Sequence, residues 1–233
     1  MTWLAIVIII IVLCTSLVIF APKNKSFFDR RIYPELELVS DPMHMQLIKD
    51  DINSLTPVDF MDYPDKDMWK YNDTSHYEMF PFYMFGQFSR ENLNKCPDTF
   101  KLAHNIPYIR TMAFIKIKSK SVLKVHRSWK DISNETFKCF LGVNVPTSDV
   151  NMCGVWVEGD AKKIEENKWV IFDSSKNHSI YNKHEKDCYM LMFDLQRPSN
   201  SIGLSQKPLT EDVKNCINHP VDQETEDSKL PTP

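Results

Sequence analysis

Apolar and polar positions alternate cleanly in only a few places along this chain. The sharpest is FIKIKSK (114–120), where Ile115 and Ile117 alternate with Lys116 and Lys118, the two-residue period of a half-buried strand. In FKCFLGVNVP (137–146), Phe137, Cys139, Leu141, Val143 and Val145 share one face, and Lys138, Phe140, Gly142 and Asn144 share the other. KWVIFD (168–173) and CYMLMFDL (188–195) are short runs dense in apolar and aromatic residues and read as further strands. One helix is predicted near Arg90–Ala103, broken around Pro97. Several short strands after a helical segment predict a mainly β domain, an antiparallel sandwich or barrel with a flanking helix.

The pattern changes character at both ends. Trp3 to Ala21 is a run of apolar and small residues without a charge, long enough to nearly span a hydrocarbon core of roughly 30 Å. No basic stretch precedes it and Ile19-Phe20-Ala21 is a poor cleavage site, so residues 1–21 are expected to be an uncleaved transmembrane anchor and the protein a single-pass membrane protein. Residues 22–75 read as a linker and irregular extension, 76–198 as the ordered barrel-like domain, and 199–233 as a polar, largely disordered tail. Lys23, Lys25, Arg30 and Arg31 after the span favour a cytoplasmic domain, while sequons at Asn24, Asn72, Asn134 and Asn177 fit the opposite side. The sequence leaves the side open.

Charge and composition narrow the function classes. A net charge of −3 gives no basic bias, which speaks against nucleic-acid binding, and five glycines leave little for phosphate-cradling loops. Five cysteines beyond the apolar run (Cys96, Cys139, Cys153, Cys188 and Cys216) form neither a disulfide framework nor a CxxC zinc site. Among the seven histidines, His126 ends one strand-like stretch and His178 comes just after another that ends in Asp173; on facing strands of a small barrel, two such histidines could hold a metal. His44, His76, His104, His184 and His219 have no such context and read as structural or solvated, and Asp131 as a ligand has little to support it. Cys188 beside Asp187 is not read as a nucleophile, because an adjacent carboxylate raises a thiol pKa.

FPFYMFG (80–86), ENLNKCPDTFKLAHNIP (91–107), VLKVH (122–126), FLGVNVP (140–146), FDSSKNHSIYN (172–182) and MLMFDLQRP (190–198) occur in one order and at fitting spacings. Together they resemble the aspartyl/asparaginyl β-hydroxylase family of iron(II)- and 2-oxoglutarate-dependent dioxygenases. The resemblance implies a double-stranded β-helix, and hydroxylation of Asp or Asn side chains in a protein or peptide. It implies iron held by two histidines with water where most relatives place a carboxylate, and these match His126 and His178. It also matches Asp173 to an aspartate ordering the turn before His178, in support of the ligands.

The same resemblance exposes departures. The family's arginine ten residues after the second histidine, which grips 2-oxoglutarate, corresponds here to Cys188. Its Arg-x-His ahead of the Leu-Gly pair corresponds to Lys138-Cys139-Phe140, and a hydroxyl-bearing position falls at or near Ile115. Lys138, Arg127 and Arg197 are the cations that remain to bind the acid, Lys138 without the bidentate fork of an arginine. Two readings follow: a working dioxygenase with a remodelled co-substrate pocket, or an inactive barrel reused as a membrane-tethered binding or structural module.

Overall fold

The computed structural model describes residues 25–65, 68, 77–84, 86–104, 106–198 and 201–209. The expected anchor lies outside these residues, as do His76, His219, Asn24, Asn72 and the tail beyond 209. Among the described residues no helix is long and apolar enough to cross a membrane.

The elements follow in the order β1 (Phe27–Phe28), α1 (Leu36–Val39), α2 (Pro42–Ser54), β2 (Met61–Asp62), β3 (Tyr77–Met84), β4 (Gln87–Phe88), α3 (Arg90–Lys95) and α4 (Pro97–His104). Then come β5 (Ile109–Ile117), β6 (Ser121–Val122), α5 (Lys130–Ser133), β7 (Thr136–Asn144), β8 (Cys153–Val157), β9 (Asp160–Lys163), β10 (Trp169–Phe172), β11 (His178–Asn182) and β12 (Cys188–Gln196). Every pairing between these strands is antiparallel, and the mainly β expectation stands. A large sheet runs β1-β10-β7-β12-β5-β3-β2, with β4 on β3, and a small one runs β6-β11-β8-β9. The predicted helix is present as α3 and α4, split where Pro97 lacks the N–H to continue it.

The large sheet is buried on both faces, which explains why β12 reads as a continuous apolar run. Cys188, Met190 and Met192 point to a core shared with the small sheet, packed with Ile115, Ile117, Val155 and Phe172. Leu191, Phe193 and Leu195 point to a second core with Leu36, Met45, Ile48 and Ile52 from α1 and α2. The stretch read as an irregular extension thus carries helices that close one face of the sheet. α2 begins where the Asp41 carboxylate accepts from the Met43 amide, with Pro42 at the first helical position.

Covering that face also overturns the half-buried reading of β5. Lys116 is buried, salt-bridged to Glu78 (3.2 Å) and Asp187 (3.7 Å). A period of two separates the faces of a strand but does not say what lies on either. At the other end, residues 201–209 form an extended strap against α5: Ser205 is buried, donating through Oγ to the Ser128 carbonyl (2.7 Å). The Asn134 amide accepts from Ser205 N (2.8 Å) and donates to Ser205 O (3.0 Å), so this sequon's acceptor nitrogen is engaged in the fold.

Candidate metal centre

His126 and His178 are brought together as neighbours within the small sheet, not across facing strands. They form an antiparallel bridge, with His126 N–H donating to His178 O (3.0 Å) and His178 N–H to His126 O (2.9 Å). Adjacent residues of such a pair project to the same face, and the ring centroids lie 4.2 Å apart. Each Nδ1 bonds to a carbonyl two residues back, His126 to Lys124 O (2.8 Å) and His178 to Lys176 O (2.9 Å). A carbonyl only accepts, so Nδ1 carries the proton and the Nε2 lone pair is the one available to a metal.

Burial sets the protonation state. It pushes His126 down to about 4 and His178 well below its ordinary value; the neighbouring His126 adds to the second shift, and Lys138 and Lys207 depress both. Both imidazoles are therefore neutral at pH 7, the form that ligates metal without first losing a proton.

Asp173 does not touch the rings but builds the turn that delivers His178. Its Oδ1 accepts from Ser175 N (3.0 Å) and Ser175 Oγ (2.6 Å), and both its oxygens are held by the Arg197 guanidinium. Arg197 also donates to the carbonyls of Ser133 (2.7 Å) and Thr136 (3.0 Å) and lies over the Phe137 ring. With its donors committed, Arg197 sits outside the cavity beside the histidines, and the structure gives no support to a co-substrate contact there. Arg127 points away too, donating to Asn177 Oδ1 (3.2 Å) and Leu204 O (3.3 Å). Asp131 is exposed on α5.

The cavity is lined by Tyr63, Asp65, Met68, Tyr77, His126, Ser128, Trp129, Lys138, His178 and Ile180. Lys138 is the cation expected from the sequence that reaches it. Its register neighbour on β12 is Asp194, and the two form a buried ion pair, Nζ to Oδ1 at 2.7 Å. Cys188 is buried instead beside Cys153, sulfur to sulfur 3.6 Å, at the end of β11 remote from His178. Tyr63, Asp65 and Met68 come from the stretch read as an extension, where no periodicity marked them.

Among the described residues no cluster of three or more His, Cys, Asp or Glu side chains is placed to hold a metal ion. A metal at this site would take two nitrogen ligands from the protein and keep its other positions for water or a bound acid. Two neutral imidazoles without a nearby thiolate suit a divalent transition metal such as iron, zinc, nickel or copper.

The chain is similar to several known proteins. An ornithine lipid ester-linked acyl 2-hydroxylase from Rhizobium tropici is 27% identical over 117 residues, 50% of this chain and 40% of that protein. The chain therefore spans well under half of that relative's length. A 2OG-Fe(II) oxygenase family oxidoreductase from Burkholderia pseudomallei superposes with a TM-score of 0.47 at 10% identity, covering 72% of this chain and 85% of that one. A Pseudomonas putida prolyl-4-hydroxylase gives 0.40 at 10% identity, covering 66% and 88%. The Aspartyl/Asparaginyl beta-hydroxylase family model matches residues 43–198, more than half the chain and inclusive of both histidines, and the chain belongs to that family.

Proposed function

We propose that this chain is a hydroxylase dependent on iron(II) and 2-oxoglutarate, with iron held by His126 and His178 in a double-stranded β-helix. The observation that carries the reading is the paired imidazoles, bridged through their main chains and each tied at Nδ1 to a carbonyl. Iron there would supply the activation of O₂ that couples oxidation of 2-oxoglutarate to hydroxylation. The chain's own residues do the rest. The Lys124 and Lys176 carbonyls hold the tautomer, burial keeps both rings neutral, and the Asp173–Arg197 pair fixes the turn before His178. Tyr63, Tyr77 and Trp129 wall the cavity against water, with Tyr63 stacked on Trp129 at 6.1 Å. Lys138 would exchange Asp194 for a carboxylate of the co-substrate.

The substrate read from the family is an Asp or Asn side chain in a protein or peptide. The Rhizobium tropici relative, named for a lipid acyl chain, and the apolar N-terminal run support a lipid substrate as the alternative. The run at residues 1–21 supports a membrane-anchored location. A second reading, an inactive module, is supported by Cys188 at the position of the family's arginine and by the pairing of Lys138 with Asp194.

Iron(II) titration of the full chain tests the reading, with succinate formation from 2-oxoglutarate as the second readout. Iron binding that disappears in His126→Ala and His178→Ala, together with succinate release, is expected. Absence of iron binding in the unsubstituted chain leaves the module reading, and iron binding without turnover points to a changed co-substrate.

A further inference from the structure

Two lysine–aspartate pairs of different origin each place one member, Lys138 and Asp65, in the wall of the cavity beside the histidines. Lys138 and Asp194 belong to neighbouring strands of the large sheet. The other pair joins distant parts of the chain: Lys207 from the strap reaches Asp65 from the segment before β3, at 2.8 Å to Oδ1 and 2.6 Å to Oδ2. Asp65 is 2% exposed and lines the cavity with both histidines and Lys138.

Lys207 is placed, not trailing. Its carbonyl accepts from Lys130 N (2.8 Å), and its own N–H donates to Ser205 Oγ (3.2 Å), which is itself anchored on Ser128 O. With Asp65 in position the cavity encloses about 10 Å³, room for about one water. An organic acid needs more room than that, and Asp65 is the carboxylate among the residues that line the cavity.

Charge accounting gives the exchange a direction. Two ammonium groups, two carboxylates and two neutral imidazoles sum to zero, and a divalent metal alone would leave an excess of two positive charges. A dianionic ligand that arrives with the metal offsets that excess, and with Asp65 withdrawn one positive charge remains. We propose that Lys207, together with Lys138, is a carboxylate-binding cation of this pocket, and that Asp65 is the internal anion a dicarboxylate co-substrate displaces. The cation missing at Cys188 is thus replaced from the strap. The identity of the acid as 2-oxoglutarate rests on the iron reading above; the assignment of Lys207 as an anion site does not.

The test is a titration of the full chain with 2-oxoglutarate, with and without Mn(II), followed by tryptophan fluorescence, since Trp129 lines the cavity. Lys207→Gln is expected to weaken 2-oxoglutarate by about tenfold or more, and Asp65→Asn to tighten it by about tenfold. Lys207→Arg, which keeps the charge, is expected to retain binding, and Mn(II) affinity is expected to be unchanged in all three. Equal 2-oxoglutarate affinity in Lys207→Gln and the unsubstituted chain overturns the proposal, as does the absence of any response to the acid. Loss of Mn(II) in Asp65→Asn also overturns it, by making Asp65 a metal ligand. If the unsubstituted chain holds no Mn(II), the iron reading fails, while the metal-free titration still decides Lys207 by the same criterion.

Discussion

Arg197 grips Asp173 with both terminal nitrogens, so the end of β12 fixes the turn that presents His178. The pair is almost fully buried, and the guanidinium is shared with main-chain carbonyls from the α5–β7 connection.

Replacing Arg197 should therefore be felt first as instability. Arg197→Ala leaves a buried carboxylate without its cation and is expected to cost about 3–5 kcal/mol. Arg197→Lys, which loses the bidentate fork, should fall between Ala and the native residue. Denaturant unfolding of the two variants checks the order; an Arg197→Ala chain as stable as the native one would show the pair to be dispensable.

Acid should loosen the same region. The folded pKa of His126 lies below its unfolded value, as does that of His178, so as pH falls below about 6.5 the unfolded chain takes up protons that the folded chain refuses. Stability is complete above that pH and declines as pH drops through about 4, the folded value of His126, by about 1–3 kcal/mol from that ring alone. Unfolding midpoints at pH 7.5 and 5 should separate, and the gap should narrow in His126→Gln.

The described thiols should be chemically silent. Cys96, Cys139, Cys153 and Cys188 are all buried and reduced, and burial pushes Cys96 up to about 12 and Cys139 well above its ordinary range. Cys188 is raised chiefly by its contact with Cys153, then by burial. Iodoacetamide at pH 8 with peptide mass mapping should leave these four unmodified until denaturant is added. Labelling of Cys188 in the native chain would contradict the packing between the sheets.

Gly142 is a steric requirement. A Cβ there would sit 2.2 Å from Glu165 O and 2.8 Å from Glu165 C, both main-chain atoms that cannot rotate away. Gly142→Ala is expected to destabilise by about 2–4 kcal/mol through displacement of the loop before β10. Thermal unfolding measures it, and a change below about 0.5 kcal/mol would mean the loop yields freely.

Much of the antiparallel β architecture was legible because strands β7, β10 and β12 carry dense apolar runs and the segments around them match one family in order. His126 ends one matched segment and His178 lies inside another, which is what made them candidates. Their adjacency on one sheet was not legible, because spacing along the chain does not reveal which strands pair. Arg197 read as a free cation, since nothing local to it announces that Asp173, far back in the chain, is its partner. Asp65 and Lys207 were missed altogether. They come from aperiodic stretches, and only tertiary contact makes either one part of the site.

The strap has a bearing on where this protein can be cut. The family match ends at residue 198, and a recombinant version trimmed to that limit would look complete by sequence. It would lack Ser205 and Lys207, exposing the Ser128 carbonyl and leaving Asp65 buried without its ammonium. Such a version would report on a different pocket from the native one, and assays of this protein should carry the chain to at least residue 209.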